Sequence, residues 1–343
     1  MSVLPPQSFP ILRLLSPDAF ISGETIAQRL KCSRATVHNA IQAVLATGFS
    51  VHAVHGRGYR LAAPVSWLDP AHLNALFAQR GITLQLYDQL ASTNAQMLHW
   101  AARDWPERAP HRALVGAEWQ SQGRGRRGRD WHAGLGGGLT FSFLWRSARP
   151  AAQLSGLSLA VGVALVQALR EIGLAEAQVK WPNDIQLGGA KLAGVLIELA
   201  NTALADGHLA SDVLGPSSAV IGVGLNVRGG DELTRRVGQP VTDLQAHWAT
   251  GGGVDRNALL LALVSRLDAE LARFEQDGFA AFHDDWQRLH AQQGQPVCLQ
   301  PGQGEAICGV ALGVDAQGAL RLQTPAGIRA FHSGEISLRA ALP

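Results

Sequence analysis

The chain is poor in charge, poor in cysteine and without a long apolar run. Asp, Glu, Lys and Arg make up 16% of its 343 residues, and the formal net charge is +2. So even a balance excludes a chain that is polybasic as a whole, and any nucleic-acid contact must come from a local patch. Three cysteines, Cys32, Cys298 and Cys308, are too few and too scattered for a metal site or a disulfide framework. Cys298 and Cys308, ten residues apart in a strand-rich region, are expected to be small buried hydrophobes, as suits a reducing compartment. The longest apolar stretch, around Leu157 to Leu169, is interrupted by Ser158, Gly162 and Gln167 and is too short to span a bilayer. Met1 to Pro10 shows no basic segment followed by an apolar one, so no secretory signal is read there and a cytoplasmic location is expected.

What is present in quantity is apolar: 47% of residues are hydrophobic, enough at this length for two or three domains. One basic stretch stands out, Gln120-Ser-Gln-Gly-Arg-Gly-Arg-Arg-Gly-Arg-Asp-Trp131. Gly123, Gly125 and Gly128 free the backbone for close approach. Arg124, Arg126, Arg127 and Arg129 supply forked donors matched to phosphate and carboxylate. Like charges side by side predict a loop that is mobile until an anion orders it. Alone, this stretch also reads as a basic surface loop or an RNA-binding tract.

Residues 1–65 hold Arg13, Arg29, Lys31, Arg34, Arg57 and Arg60 against Asp18 and Glu24, a local +4. Ser22 is placed to cap a helix over 24–30, and Ser33, after the turn Lys31-Cys32, to cap a second from Arg34 to Ala46. Val37, Ile41, Val44 and Leu45 share one face of it. Phe49 to Val54 alternates like a strand, His55-Gly56-Arg57-Gly58 turns and Tyr59 to Leu61 returns. The whole predicts a winged helix-turn-helix that reads a major groove with Arg34, Thr36, His38, Asn39 and Gln42, with Arg57 on the wing. A helical protein-interaction domain is the competing reading.

Pro64 to Pro70 reads as a linker. Helices are expected from His72, from Asn94 behind Ser92-Thr93, over 154–173, over 255–277 and from Phe279. Strands are expected at Thr83, Leu114, Leu139, Lys191 and Ala219, and Gly188-Gly189 makes a hairpin turn. The mixture predicts an α+β or α/β core with a mixed sheet. From Pro296, short strands separated by Pro301-Gly302, Asp315 to Gly318 and Pro325 to Gly327 predict a small β-barrel.

The ordered set Ser92-Thr93-Asn94, the arginine stretch, Lys180-Trp-Pro-Asn-Asp184-Ile, Lys191-Leu-Ala-Gly-Val-Leu-Ile-Glu198 and Ile221-Gly-Val-Gly-Leu-Asn226-Val resembles the biotin protein ligases, specifically their bifunctional ligase and biotin operon repressor members. The resemblance runs from about Ile21 to Arg339 and rests on five motifs in the family's order. It implies an α+β multidomain protein. Residues 1–65 would be the winged helix-turn-helix, 66–290 the α/β catalytic domain and 291–343 an SH3-like barrel. It implies that biotin and ATP, with Mg²⁺ arriving on ATP, are converted to biotinyl-5′-AMP. The biotinyl group then passes to a lysine of the biotin carboxyl carrier protein, while an adenylate-promoted homodimer binds operator DNA. Positions matching Ser92, Thr93, Asn94, Gln120, Arg124, Gly125, Arg126 and Lys191 would bind biotin. Those matching Lys180, Asp184, Asn226 and Arg339 would lie near the nucleotide or the reacting centre. Lys191 would bridge carboxylate and α-phosphate, with Arg126 and Lys180 alongside, and Asp184 would serve the incoming amine. One departure is visible: repressor members place a tryptophan before a Thr-Leu-Gln stretch, where it packs on adenine. Here Gln239-Pro-Val-Thr-Asp-Leu-Gln245 holds no aromatic, and Trp248 is the nearest. A ligand-sensing repressor without ligation and a lipoate ligase remain the alternative readings.

Overall fold

The computed structural model describes residues 3–103, 112–200, 216–248, 253–301, 305–332 and 336–340. Its N-terminal unit consists of α1 (Ser8–Leu14), α2 (Gly23–Arg29), α3 (Arg34–Leu45), β1 (Val51–Val54) and β2 (Gly58–Leu61). The side chains of Ser22 and Ser33 accept from Thr25 N and Thr36 N, each at 3.0 Å, satisfying helix-start donors that would otherwise be orphaned. Val37, Ala40, Ile41 and Val44 of α3 are buried, which turns Arg34, His38, Asn39 and Gln42 outward. Helix α1, too short for a periodicity signal, buries Phe9, Ile11 and Leu12 under them. The wing closes onto Ile21: Tyr59 N donates to Ile21 O at 2.9 Å, and Ile21 N to Tyr59 O at 3.0 Å. A Cβ on Gly58, whose φ is 100°, would stand 2.1 Å from Ile21 O, so only glycine closes this contact.

The central unit holds α4 (Pro70–Ala78), β3 (Thr83–Leu90), α5 (Thr93–Arg103), β4 (Arg112–Gln120), β5 (Gly138–Ser147), α6 (Leu157–Glu171), β6 (Gln178–Lys180), β7 (Asp184–Leu187), β8 (Ala190–Leu199), β9 (Ser217–Asn226), α7 (Gly230–Val237), α8 (Arg256–Asp277) and α9 (His283–Leu289). The seven strands form one mixed sheet in the order β3-β4-β5-β9-β8-β7-β6. Only β3 and β4 run parallel. Strand β5 shows how both faces are filled. Leu139, Phe141, Phe143 and Trp145 join the core with α6 and α8, while Leu144 joins Met97 of α5 on the other face, as the two-residue repeat of a strand requires.

The last unit is a five-stranded antiparallel sheet of β10 (Pro296–Pro301), β11 (Ile307–Val314), β12 (Leu320–Thr324), β13 (Gly327–Phe331) and β14 (Ile336–Ala340), ordered β13-β12-β11-β10-β14. It corrects the reading of the cysteines. Cys298 and Cys308 face each other across β10 and β11 with Cα atoms 4.0 Å apart and are joined in a disulfide. Val297 and Leu299 are fully buried, so the alternation of the strand turns Cys298 the other way, and Cys308 is exposed. Ten residues are the span of this hairpin, and spacing alone could not show that the two positions fall in register. The argument from cysteine usage to a reducing compartment falls with it. Cys32 is a free, half-buried thiol.

The N-terminal core is not self-contained. Trp119 of β4 and Leu135 are part of it. The linker is anchored from below by Glu118, whose carboxylate accepts from Leu68 N at 2.7 Å and from Arg256 Nη1 at 2.5 Å. No helix of the described residues is long and apolar enough to cross a membrane.

Candidate active site

A cavity of about 540 Å³ opens over the middle of the central sheet and draws on every motif of the resemblance that the sheet carries. At one end, Ser92, Thr93 and Asn94 start α5 and are each about 4% exposed. Gln120, at the end of the parallel neighbour β4, accepts from Thr93 N at 2.7 Å through Oε1. Ser142 on β5 donates to Asn94 Oδ1 at 2.6 Å and lies 2.8 Å from Thr93 Oγ1. Asn94 Nδ2 donates in turn to Glu198 Oε2 at 2.9 Å. Reasoning from sequence missed Ser142 and Glu198. The available signal was a hydroxyl between Phe141 and Phe143 and a charge closing the apolar run of β8.

The glycines of Ile221-Gly-Val-Gly-Leu-Asn acquire a specific reason. A Cβ on Gly222 would lie 2.1 Å from Asn94 Oδ1, and one on Gly224 2.3 Å from the Trp131 ring. The room they leave is taken by the protein's own side chains. Trp131, at the end of the arginine stretch, and Trp181 both line the cavity. Trp248 instead packs on the hydrophobic core.

The arginine stretch is a defined turn, not a chain held open by repulsion. The backbones of Arg124 and Asp130 pair as an isolated antiparallel β-bridge, Gly125 N donates to Arg129 O at 2.7 Å, and Trp131 N to Gly123 O at 2.8 Å. Its charges find partners: Arg124 Nη2 lies 2.7 Å from Glu198 Oε1, and Arg126 Nη1 donates to Asn183 Oδ1 at 3.1 Å. Burial first, then the nearby Arg127 charge, lowers the Arg126 pKa, with Asp184 opposing. The Arg127 and Arg129 side chains are exposed at the rim.

In the centre, the hairpin of β7 and β8 sets Lys191 against Asp184, Nζ to Oδ1 at 2.6 Å, both about one-fifth exposed. Lys191 Nζ also stands 5.7 Å from the Trp131 ring centroid. Lys180 and Asn183 line the same region. Beyond it, Asn226 Nδ2 donates to Thr242 O at 3.2 Å. Asn226 Oδ1, Trp131 Nε1 and His132 Nδ1 are buried without a partner among the described residues, which marks this end as built for a polar ligand. The His132 pKa is lowered, by burial first and then by Arg236.

Two sets of expected residues stand elsewhere. Arg339 sits on β14 opposite Cys298, and its side chain lies outside the described residues, as does Ser333-Gly334-Glu335. The nucleic-acid set gathers on the exposed face of α3, except that Thr36 is partly spent in the Ser33 cap, their oxygens 2.9 Å apart. Arg57 lies over the Phe20 ring at 4.4 Å.

A cradle of neutral donors and acceptors, a cluster of paired cations and an open polar end, on a mixed sheet behind a helix-turn-helix, define an acid-activating ligase with an attached DNA-binding unit. Residues 88–209 match the biotin/lipoate A/B protein ligase family, residues 8–60 an HTH domain and residues 294–339 the biotin protein ligase C-terminal domain. The bifunctional ligase/repressor BirA of Salmonella typhimurium is 36% identical over 335 residues, covering 96% of this chain and 97% of that one. That of Bacillus subtilis is 30% identical over 94% of each. The chain belongs to this family of bifunctional biotin ligases and repressors. Among solved structures, the biotin protein ligase of Aquifex aeolicus in complex with biotin and ATP matches with TM-score 0.60 and 29% identity, covering 76% of this chain and 99% of that one.

Proposed function

We propose that the chain activates biotin with ATP to biotinyl-5′-AMP and transfers it to a lysine of a biotin carboxyl carrier protein. Residues 66–290 would do the chemistry, with 291–343 attached. The observation that carries the reading is Lys191 Nζ at 2.6 Å from Asp184, between a closed neutral cradle and an open end with orphaned polar atoms. Ser92, Thr93, Asn94 and Gln120 hold the neutral end of biotin, with Arg124 and Gly125 closing over it. A biotin carboxylate oxygen attacks the α-phosphorus, the new acyl–phosphate bond forms, and the bond to pyrophosphate breaks. Lys191 exchanges Asp184 for the two reacting anions, while Arg126 and Lys180 meet the charge that develops. Such preorganised cations are the main catalytic resource of a reaction of this kind. Asp184, released from Lys191, then takes the proton of the incoming lysine ammonium. The amine attacks the acyl carbon and AMP leaves. Mg²⁺ is expected to come on the triphosphate and supply charge neutralisation there; among the described residues no three His, Cys, Asp or Glu gather into a cage. Asn226, and Arg339 from the last sheet, belong on the nucleotide side.

Purified protein mixed with ATP and either biotin or lipoate tests this. Pyrophosphate release with biotin and not with lipoate is expected; release with lipoate alone overturns it. The intact Lys191–Asp184 pair is what disfavours a sensor that has lost ligation.

In the same reading, residues 1–65 bind operator DNA through Arg34, Thr36, His38, Asn39 and Gln42, with Arg57 on the backbone. One small unit makes few phosphate contacts, so two copies on a two-fold axis are needed for tight binding. Adenylate that packs against the arginine turn and completes a dimer surface would favour the dimer, and the dimer would favour adenylate. Sedimentation with and without biotinyl-5′-AMP decides it: an unchanged monomer with unchanged operator affinity removes the repressor half.

A further inference from the structure

The last sheet reaches the wall of the cavity through a turn that lies outside the five motifs. Lys180 and Asp184 stand opposite each other in the hairpin of β6 and β7, so Trp181-Pro-Asn183 is the turn that sets both. The Asp184 side of that turn is held to β8: Asn183 Nδ2 donates to Val195 O at 2.7 Å, and Val195 N to Asn183 O at 2.9 Å. The Lys180 side has less backbone support, since β6 is three residues long and forms an edge of the seven-stranded sheet.

What holds that side is a side chain. Trp181 is 1% exposed and lines the cavity. A buried indole N–H needs an acceptor, and Trp181 Nε1 finds one in Gly318 O, at 3.3 Å, in the turn between β11 and β12. One carboxylate shapes this turn: Asp315 Oδ1 accepts from Gln317 N and from Ala319 N, both at 2.9 Å. The turn is also seated on the start of α6. Ser155 Oγ donates to Gln317 O at 2.6 Å. A Cβ on Gly318, whose φ is 82°, would stand 3.2 Å from Gly156 Cα and 3.0 Å from Leu159 Cδ1. A glycine in the left-handed region is what lets the carbonyl approach the indole.

We propose that Trp181 is a positioning residue for acid activation and that the turn from Asp315 to Gly318 is what holds it. The indole, pinned to Gly318 O, fixes the Lys180 side of the hairpin turn and with it the place where the Lys180 and Asp184 side chains enter the cavity. The inference rests on the ligase reading above. It gives the last sheet a part in the chemistry that does not run through Arg339. A displacement of about 1 Å in a group that meets developing charge can cost about 10²-fold in rate, so a tie of this kind acts on the rate and not on ground-state binding.

The test combines initial rates of pyrophosphate release, in the full chain with biotin and ATP, with the indole ¹H–¹⁵N resonances. Trp181→Phe keeps a ring and loses the donor; kcat should fall on the order of tenfold, with the KM for biotin and for ATP within about twofold of wild type. Asp315→Ala, outside the cavity, should lower kcat in the same direction with the same unchanged KM values. It should also shift the Trp181 indole resonance, which is the one missing from Trp181→Phe. Asp315→Asn keeps the acceptor oxygen and should restore both rate and resonance. In the double variant the two losses should not add, because both cut one tie. Unchanged kcat in Trp181→Phe overturns the proposal, and so does an unmoved indole resonance in Asp315→Ala or a pair of losses that add. Should Trp181→Phe fail to fold, the two Asp315 variants decide alone. A wild-type chain that releases no pyrophosphate with biotin defeats the ligase reading instead, and the indole resonance still judges the tie.

Discussion

Lys191 lies 2.6 Å from Asp184 on the cavity, and Arg256 lies 2.5 Å from Glu118 beneath the linker. The first pair is 21% and 22% exposed, the second 0% and 3%. The geometry is the same and the setting is not. Glu118 and Arg256 also hold Leu68 N and Ser66 O, so their charges are locked into the joint between the two units. Taking either away leaves a buried charge uncompensated. Lys191 and Asp184 are reached by water, and each loses little when a ligand anion or an incoming ammonium replaces its partner. An ion pair that must be exchanged in a reaction has to stay open to solvent; one that fixes a joint is best out of it.

The comparison breaks most readily at the buried pair. Glu118→Ala should cost about 3–5 kcal/mol, read from urea unfolding. A loss below about 1 kcal/mol would show that the joint does not depend on this carboxylate. Next comes Lys191→Ala, which should reduce pyrophosphate release by about 10²–10³-fold while leaving the unfolding midpoint almost unmoved. A variant that activates biotin at the wild-type rate would remove Lys191 from the chemistry.

A third effect of similar size concerns another buried titratable group. Burial lowers the His290 pKa to about 4, a hydrogen bond to Gln293 opposing, and the ring stacks on Trp286 at 4.4 Å. Unfolded histidine titrates near 6.5, so below that pH the unfolded chain binds a proton that the folded chain refuses. The contribution of neutral His290 is present above about pH 6.5 and is lost as pH falls toward 4, on the order of 3 kcal/mol in all. Urea unfolding at pH 7 and pH 5, on wild type and His290→Gln, should show a smaller pH dependence in the variant; equal slopes would refute it. The smallest effect is expected at the surface, where Arg13 meets Asp88 at 2.6 Å with both side chains more than a third exposed or nearly so. Asp88→Ala should cost less than about 1 kcal/mol, and 0.5 M salt should abolish the difference; a larger, salt-resistant loss would make this contact a second joint.

Legibility in the sequence followed locality. The caps Ser22 and Ser33 and the outward face of α3 needed only neighbouring residues. The ordering of the five motifs was readable because each is a contiguous string around one strand end or turn. Ser142 and Glu198 were not readable: they reach Asn94 from β5 and β8, across 48 and 104 residues. The cysteine pair failed for the same reason, since register across a hairpin is set by pairing and not by spacing. The arginine turn differed from a repelling loop because Glu198 and Asn183 arrive from elsewhere to meet Arg124 and Arg126.

The residue string by itself determined the helix starts, the turn glycines, the alternation that divides each strand between two faces and the chemical types available for activating an acid. Tertiary structure alone decided which cations meet which carboxylates, why Gly222 and Gly224 must lack a side chain, and that Glu118 and Arg256 meet in the dark beneath the linker. The reason is physical: propensity and capping act over a few residues, whereas burial and charge pairing depend on which surfaces the sheet order brings into contact.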